Sequence, residues 1–152
     1  MVPRFTYVDQ FGDQVDIYDF ANQGHPVAIQ LVTLWAAPAL TMSNWMAGQQ
    51  PNLFGLYNGS IPLHVAAGDI YWVTVIYEDV LGQPVSAQDC ADFYVSYPVG
   101  GPVLCPATDE LPQWFSLAAI PGLALLEEDL TIAIYNANGW NPAMDEIQIR
   151  YP

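Results

Sequence analysis

The sequence VAIQLVTLWAAPA occupies residues 27–39. Its first eight residues are mostly apolar and rich in β-branched side chains, a pattern typical of a strand that is covered on both faces, as in a parallel sheet. A helix is expected to begin near Pro38, because a proline in the first helical turn sacrifices no backbone hydrogen bond. The stretch therefore predicts a buried strand that runs through Trp35 directly into a helix, which ends near Gly48.

The segments on either side predict an alternation of strands and helices. Strands are expected at residues 5–8, 15–18, 71–77, 103–105, 122–126 and 130–135, and helices after Ser86, after Thr108 or Asp109, and from Asn141. Ser86 and Asp89 have the spacing of a helix cap. Residues 49–69 give no clear pattern, and within them residues 53–57 are either helix or loop. The alternation, followed by a strand pair, predicts an α/β fold with an antiparallel edge.

The length and composition are those of one globular domain. The chain has 152 residues, of which 53% are hydrophobic and only 12% charged, so it can bury a substantial core. Prolines and glycines are spread along the chain and indicate turns rather than a linker. We expect a single domain over residues 1–152.

The charge is strongly negative, since 16 acidic residues face only Arg4 and Arg150, and the chain has no lysine. A net charge of −14 repels phosphate backbones and anionic lipid headgroups, which excludes nucleic acid and membrane surfaces as partners. No apolar run reaches the roughly 18 residues of a membrane span. The first four residues are no signal peptide. The chain is therefore expected in the cytoplasm, or in an exported or periplasmic location if a leader has been removed.

Two cysteines, Cys90 and Cys105, do not form a CxxC pair, and His25 and His64 lack the spacing of metal ligands, so neither a metal nor a cofactor is expected. Cys90 is placed on the helix after Ser86 and Cys105 at the end of the next strand. A helix lies roughly 10 Å from its sheet, whereas a disulfide needs Cα atoms about 4.4–6.8 Å apart. We therefore expect two separate, reduced thiols.

Several motifs, in order, resemble a known family. Residues 5–12 (FTYVDQFG) resemble the F-x-L-x-D-x-x-G opening of the redoxin branch of the thioredoxin superfamily, in its TlpA-like or AhpC/TSA-like form. Trp35–Ala39 resembles the W-C-x-P-C motif of that family, residues 119–126 (AIPGLALL) its x-x-P-T-x-x-L-L segment, and residues 128–132 (EDLTI) its D-x-x-G-x-I hairpin. The resemblance covers nearly the whole chain. It implies a thioredoxin-like α/β fold: a central mixed sheet, helices on both faces, a C-terminal antiparallel strand pair and a cis Ile120–Pro121 bond.

The resemblance also implies a site. In the family, a cysteine thiolate at a helix N-terminus attacks a disulfide, and a second cysteine one turn later resolves the mixed disulfide. Ala36 and Ala39 stand at these two positions and have no thiol. Trp35 and Pro38 match the shielding tryptophan and the proline of the motif, and Pro121 matches the cis-proline that presents backbone to an extended substrate.

Gln30 is a further departure, since redoxins often place a buried acid at this position to manage protons, which glutamine cannot do. Two explanations of the alanines remain open. They are natural, or they replace cysteines in an active oxidoreductase. Replacement fits the restriction of the change to the two motif positions, whereas Gln30 favours natural loss.

These residues and the resemblance support two main functions. The first is a redoxin-type thiol-disulfide oxidoreductase domain that lacks its cysteine pair and is inactive, with a protein or small-molecule thiol or disulfide as its partner. The alternative is a non-catalytic thioredoxin-like module that binds an extended peptide in a groove formed by Trp35, Ile120 and Pro121. A redox sensor run by Cys90 and Cys105 is the third and least favoured hypothesis.

Overall fold

A five-stranded sheet forms the centre of the computed structural model, which describes residues 1–106 and 109–152. The strands are β1 (Thr6–Val8), β2 (Gln14–Asp16), β3 (Val27–Thr33), β4 (Tyr71–Glu78), β5 (Val103–Leu104), β6 (Gly122–Leu126) and β7 (Ile132–Tyr135). The helices are α1 (Ala37–Met46), α2 (Ser60–Ala67), α3 (Ala87–Ser96), α4 (Glu110–Trp114) and α5 (Asn141–Arg150).

The order of strands in this sheet is β5-β4-β3-β6-β7. β4 is parallel to both β3 and β5, whereas β6 is antiparallel to both β3 and β7. The predicted mixed sheet with an antiparallel pair at its C-terminal edge is thus confirmed. β1 and β2 form a separate antiparallel hairpin, and the Cys105 N–H donates to the Val8 carbonyl oxygen at 2.9 Å, which joins that hairpin to the sheet beyond β5.

The central strand, β3, is buried along its whole length, because helices cover one face of the sheet and α4 with the N-terminal segment covers the other. On one face Ala28 belongs to a cluster with side chains of α1, α2 and α5, among them Trp45 and Ile147. On the other face Ile29 belongs to a cluster with Phe115, which directly follows α4. The mostly apolar sequence of β3 follows from this double cover.

The structure differs from the sequence prediction mainly before β4. Residues 60–67 form α2, whose first N–H, that of Ser60, donates to the Asn58 side chain at 2.9 Å, and which ends at Gly68, whose φ of 82° suits glycine. Ile17–Phe20 is a 3₁₀ turn capped by Asp16, where the sequence predicted the end of a strand. Residues 53–57 form a tight loop. The cap at Ser86 is confirmed as a reciprocal capping box, while the proposed cap at Thr108 lies outside the described residues.

No helix in the described ranges is long and apolar enough to cross a membrane.

Candidate functional site

The predicted passage from strand to helix is present at the end of β3. Trp35 and Ala36 follow the strand, Ala36 has an extended backbone and caps α1, and Pro38 lies in the first turn of the helix. The Ala36 carbonyl oxygen accepts hydrogen bonds from the N–H groups of Ala39 (3.1 Å) and Leu40 (3.3 Å). The position that the resemblance assigns to the nucleophile thus lies at the N-terminus of α1.

Neither alanine side chain can act as a nucleophile or a proton donor. Ala36 is 6% exposed and Ala39 is fully buried. Both methyl groups belong to an apolar cluster with Val32, Ile76 and Phe93. The motif therefore keeps the backbone geometry of a helix start, but its two side chains only fill space.

Trp35 is the exposed member of the motif, with 52% of its surface accessible. Its indole Nε1–H donates to Glu78 Oε1 at 3.3 Å. Because β3 and β4 are parallel, their carboxyl ends lie at the same edge of the sheet, and this places Glu78 beside the motif. The hydrogen bond orients the indole at the rim of a cleft.

The second wall of this cleft comes from the segment before β6. The Ile120–Pro121 peptide bond is cis, as predicted. β6 pairs antiparallel with β3, with Gly122 opposite Leu31, so this bond lies beside the end of β3. The cleft has a volume of about 480 Å³. Its lining residues are Trp35, Ala36, Ala37, Pro38, Tyr77, Leu117, Ala118, Ala119 and Ile120.

The structure thus brings Trp35, Ala36, Pro38 and Ile120 together around one cleft. Pro121 adjoins it through its peptide bond with Ile120 but does not line it. Ala39 and Gln30 lie below, in the core.

A second, more polar cavity of about 280 Å³ adjoins the cleft and shares Tyr77 and Leu117 with it. Its other lining residues are Glu78, Asp109, Pro112, Gln113 and Ser116. Tyr77, Glu78, Asp109 and Leu117 were not predicted from the sequence as site residues. Only Glu78 left a usable signal, because it ends a strand parallel to the one that leads into the motif.

The Tyr77 phenol stays protonated at neutral pH. Its burial, together with the negative charges of Glu78 and Asp109 and the neighbouring Tyr135, raises the pKa of Tyr77 to about 12. A neutral phenol can donate a hydrogen bond to a bound group.

Gln30 is 1% exposed and lies beneath α1. Its Nε2 donates to Ser43 Oγ at 3.2 Å, and its Oε1 accepts from Trp72 Nε1 at 3.1 Å. Ser43 Oγ in turn donates to the carbonyl oxygen of Ala39 at 2.8 Å. The amide therefore links the sheet to the helix, and its donor and its acceptor each have a hydrogen-bond partner.

The expectation of two separate thiols is wrong, because Cys90 and Cys105 form a disulfide with their Cα atoms 6.1 Å apart. The prediction used the spacing between a sheet and the middle of a helix. Cys90, however, lies in the first turn of α3, and Cys105 directly follows β5. At these ends the two elements converge. Cys90 is fully buried in the same apolar cluster as Ala36 and Ala39, and Cys105 packs against that cluster.

The histidines lie elsewhere. His64 Nδ1 is 2.6 Å from Asp69 Oδ2, and His25 Nδ1 is 3.2 Å from the Asp69 carbonyl oxygen. Among the described residues, no group of three or more histidine, cysteine, aspartate or glutamate side chains is arranged to hold a metal ion.

The sheet order, the helix start after β3 and the cis-proline opposite it define a thioredoxin-like fold. Solved structures share this architecture over almost the full length of the chain. A putative thiol:disulfide interchange protein DsbE from Chlorobium tepidum is 15% identical, with 97% of this chain and 92% of that chain covered and a TM-score of 0.68. The exposed lipoprotein thioredoxin Etrx1 from Streptococcus pneumoniae is 16% identical, with coverage of 97% and 99% and a TM-score of 0.67.

StoA from Bacillus subtilis is 17% identical, with coverage of 97% and 98% and a TM-score of 0.64. No protein-family model and no curated protein matches the chain. The structural likeness therefore establishes the thioredoxin-like fold, and the activity has to be argued from the site.

Proposed function

We propose that this chain is a redoxin-type thiol-disulfide oxidoreductase domain that is inactive at its motif and keeps the cleft for an extended polypeptide substrate. The observation that supports this most directly is that an alanine, Ala36, lines the cleft at the N-terminus of α1. A cysteine there would have its thiolate favoured by the helix dipole. Alanine leaves the shape of the cleft without the reacting atom.

The test has two arms. The unaltered protein should not accelerate the reduction of insulin by dithiothreitol above the uncatalysed rate. The double variant Ala36→Cys/Ala39→Cys should form a 36–39 disulfide under mild oxidant, because the two positions are one helical turn apart. The control is Ala36→Cys alone, which has no partner for an internal bond. Turnover that persists in Cys105→Ala, or failure of the double variant to form the bond, would contradict the proposal.

The Cys90–Cys105 disulfide supports a second candidate, thiol-disulfide exchange at this pair. Cys105 is partly exposed and Cys90 is buried, so an external dithiol would attack the sulfur of Cys105. That attack forms a mixed disulfide and releases Cys90 as a thiolate. The second thiol of the reductant then attacks the mixed disulfide, which releases Cys105 and leaves the reductant oxidised. Insulin turnover that disappears in Cys105→Ala would assign activity to this pair.

An exported location is part of the proposal. The Streptococcus pneumoniae neighbour is described as an exposed lipoprotein, and another neighbour is a secreted Mycobacterium tuberculosis disulfide oxidoreductase that is 13% identical to this chain. The Cys90–Cys105 bond also fits an oxidising compartment. Acid quenching and alkylation of the protein in its own cells should find both cysteines protected. Alkylated thiols in the bulk of the protein would favour the cytoplasm.

A further inference from the structure

The apolar cleft has an acidic end. The neighbouring cavity shares Tyr77 and Leu117 with the cleft and places Glu78 and Asp109 on its lining. The two carboxylates come from different elements, Glu78 from the end of β4 and Asp109 from the residue before α4. A ligand that passes from the cleft into this cavity moves from apolar side chains to negative charge.

The described residues hold no cation that could neutralise this end. Arg4 pairs with Asp16 at 2.6 Å, and Arg150 pairs with Glu127 at 2.9 Å and Glu146 at 2.8 Å. The chain has no lysine. Glu78 accepts a hydrogen bond from the uncharged indole of Trp35. The negative charge at this end of the cleft is therefore available to a positively charged ligand.

We propose that the cleft selects extended polypeptide segments in which an apolar side chain lies within two residues of lysine or arginine. This inference rests on the proposed function, since it assumes that the cleft binds polypeptide. The apolar side chain fits between Trp35 and Ile120, and the cation reaches Glu78 and Asp109. Because the two cavities share Tyr77 and Leu117, the two side chains should belong to nearby residues of an extended chain, which advances about 3.3 Å per residue.

Tyr77 can add a hydrogen bond at this site. It lines both cavities, and its phenol is protonated at neutral pH, as that of any tyrosine is; burial and the charges of Glu78 and Asp109 raise its pKa further. It can donate a hydrogen bond to a backbone carbonyl group of the bound segment while the carboxylates face the cation.

The test compares three fluorescein-labelled peptides, GSVLKVSG and its counterparts with glutamine or glutamate in place of lysine, by fluorescence anisotropy. The lysine peptide should bind about three- to tenfold more tightly than the glutamine peptide, as expected for one half-buried and one exposed carboxylate. The glutamate peptide should bind most weakly. High salt should reduce the preference, since exposed charges are screened.

The variants Glu78→Gln and Asp109→Asn, alone and combined, test whether the preference for the lysine peptide comes from the carboxylates at the cleft. Glutamine at 78 keeps an oxygen for the Trp35 indole, so the rim of the cleft stays in place. The matched control is Glu128→Gln, which removes the same charge from an exposed position in the β6–β7 turn, at the opposite end of the sheet. The double cleft variant should bind the lysine and glutamine peptides equally, while Glu128→Gln should keep the preference.

The outcomes separate the two proposals. Equal binding of all three peptides by the original chain would overturn the charge selection and leave the proposed cleft standing. A loss of preference in Glu128→Gln as large as in Glu78→Gln would also overturn it, because the attraction would then come from the overall charge. Absence of binding by every peptide would overturn both proposals.

Discussion

Reduction of the Cys90–Cys105 bond should lower the stability of the fold by an amount that depends on the number of residues between the two cysteines. The two cysteines are 15 residues apart. In the chain-entropy account, opening a loop of this size increases the conformational entropy of the unfolded chain and so lowers the free energy of unfolding by about 3 kcal/mol. For a domain of this length, that loss corresponds to a fall in melting temperature of about 6–12 °C.

Urea unfolding followed by tryptophan fluorescence, with and without a phosphine reductant, measures this difference. The control is Cys105→Ala, which should start at the lower stability and show no response to the reductant. Cys105 is the better cysteine to replace, because Cys90 is fully buried and its truncation would add the cost of a cavity. A change below about 1 kcal/mol on reduction, or two alkylated thiols in the non-reduced, unfolded protein, would refute the reasoning.

Three further predictions concern the core and the cleft. Gly101→Ala should destabilise by about 2 kcal/mol or more in thermal or urea unfolding, because its Cβ would overlap the Trp72 carbonyl oxygen; Gly139→Ala, with open space around it, should be nearly neutral. Gln30→Leu should cost about 1–3 kcal/mol in the same assay, since it strands the buried Trp72 indole N–H; a neutral result would show that the link is dispensable. In an ultraviolet titration one tyrosine should ionise near pH 12, and this titration step should be absent in Tyr77→Phe. Because the pKa of Tyr77 is raised in the folded state, its contribution to stability should be lost as the pH rises above the unfolded value of about 10. The free energy of unfolding should therefore fall less with pH in Tyr77→Phe than in the original chain, and an equal fall in both would contradict this.

The central part of the fold was predictable because local signals and tertiary structure agree there. β3 is apolar at most positions because both of its faces are covered, and Pro38 marks the start of α1. The segment before β4 lacks such agreement. The N-cap of α2 is Gly59, which has no side chain, and the helix start is satisfied by Asn58 one residue earlier, so the clearest sequence signal is Gly68 at the end. Ile17 was expected in a strand because it is apolar and β-branched, but its side chain is buried from a 3₁₀ turn instead.

The candidate site could be predicted only where a motif lies along the chain. Trp35, Ala36 and Ile120 belong to such motifs and meet at the cleft. Tyr77 and Asp109 do not, because their place in the cavities depends on strand register and on how α4 packs, neither of which the local sequence specifies. The Cys90–Cys105 bond was not predicted for a related reason, since the convergence of the start of α3 and the end of β5 is a property of the three-dimensional structure.

The hydrogen bond between Cys105 and Val8 covers part of one edge of the sheet. β5 has two residues and lies at the edge of the sheet, where unpaired backbone groups invite a strand from another molecule. The N-terminal hairpin occupies part of this edge through Val8, and the backbone N–H of Val103 donates to the Gln10 side chain at 2.8 Å. A chain this rich in apolar residues thereby leaves little of that border open for the addition of a neighbour's strand, the first step toward aggregation.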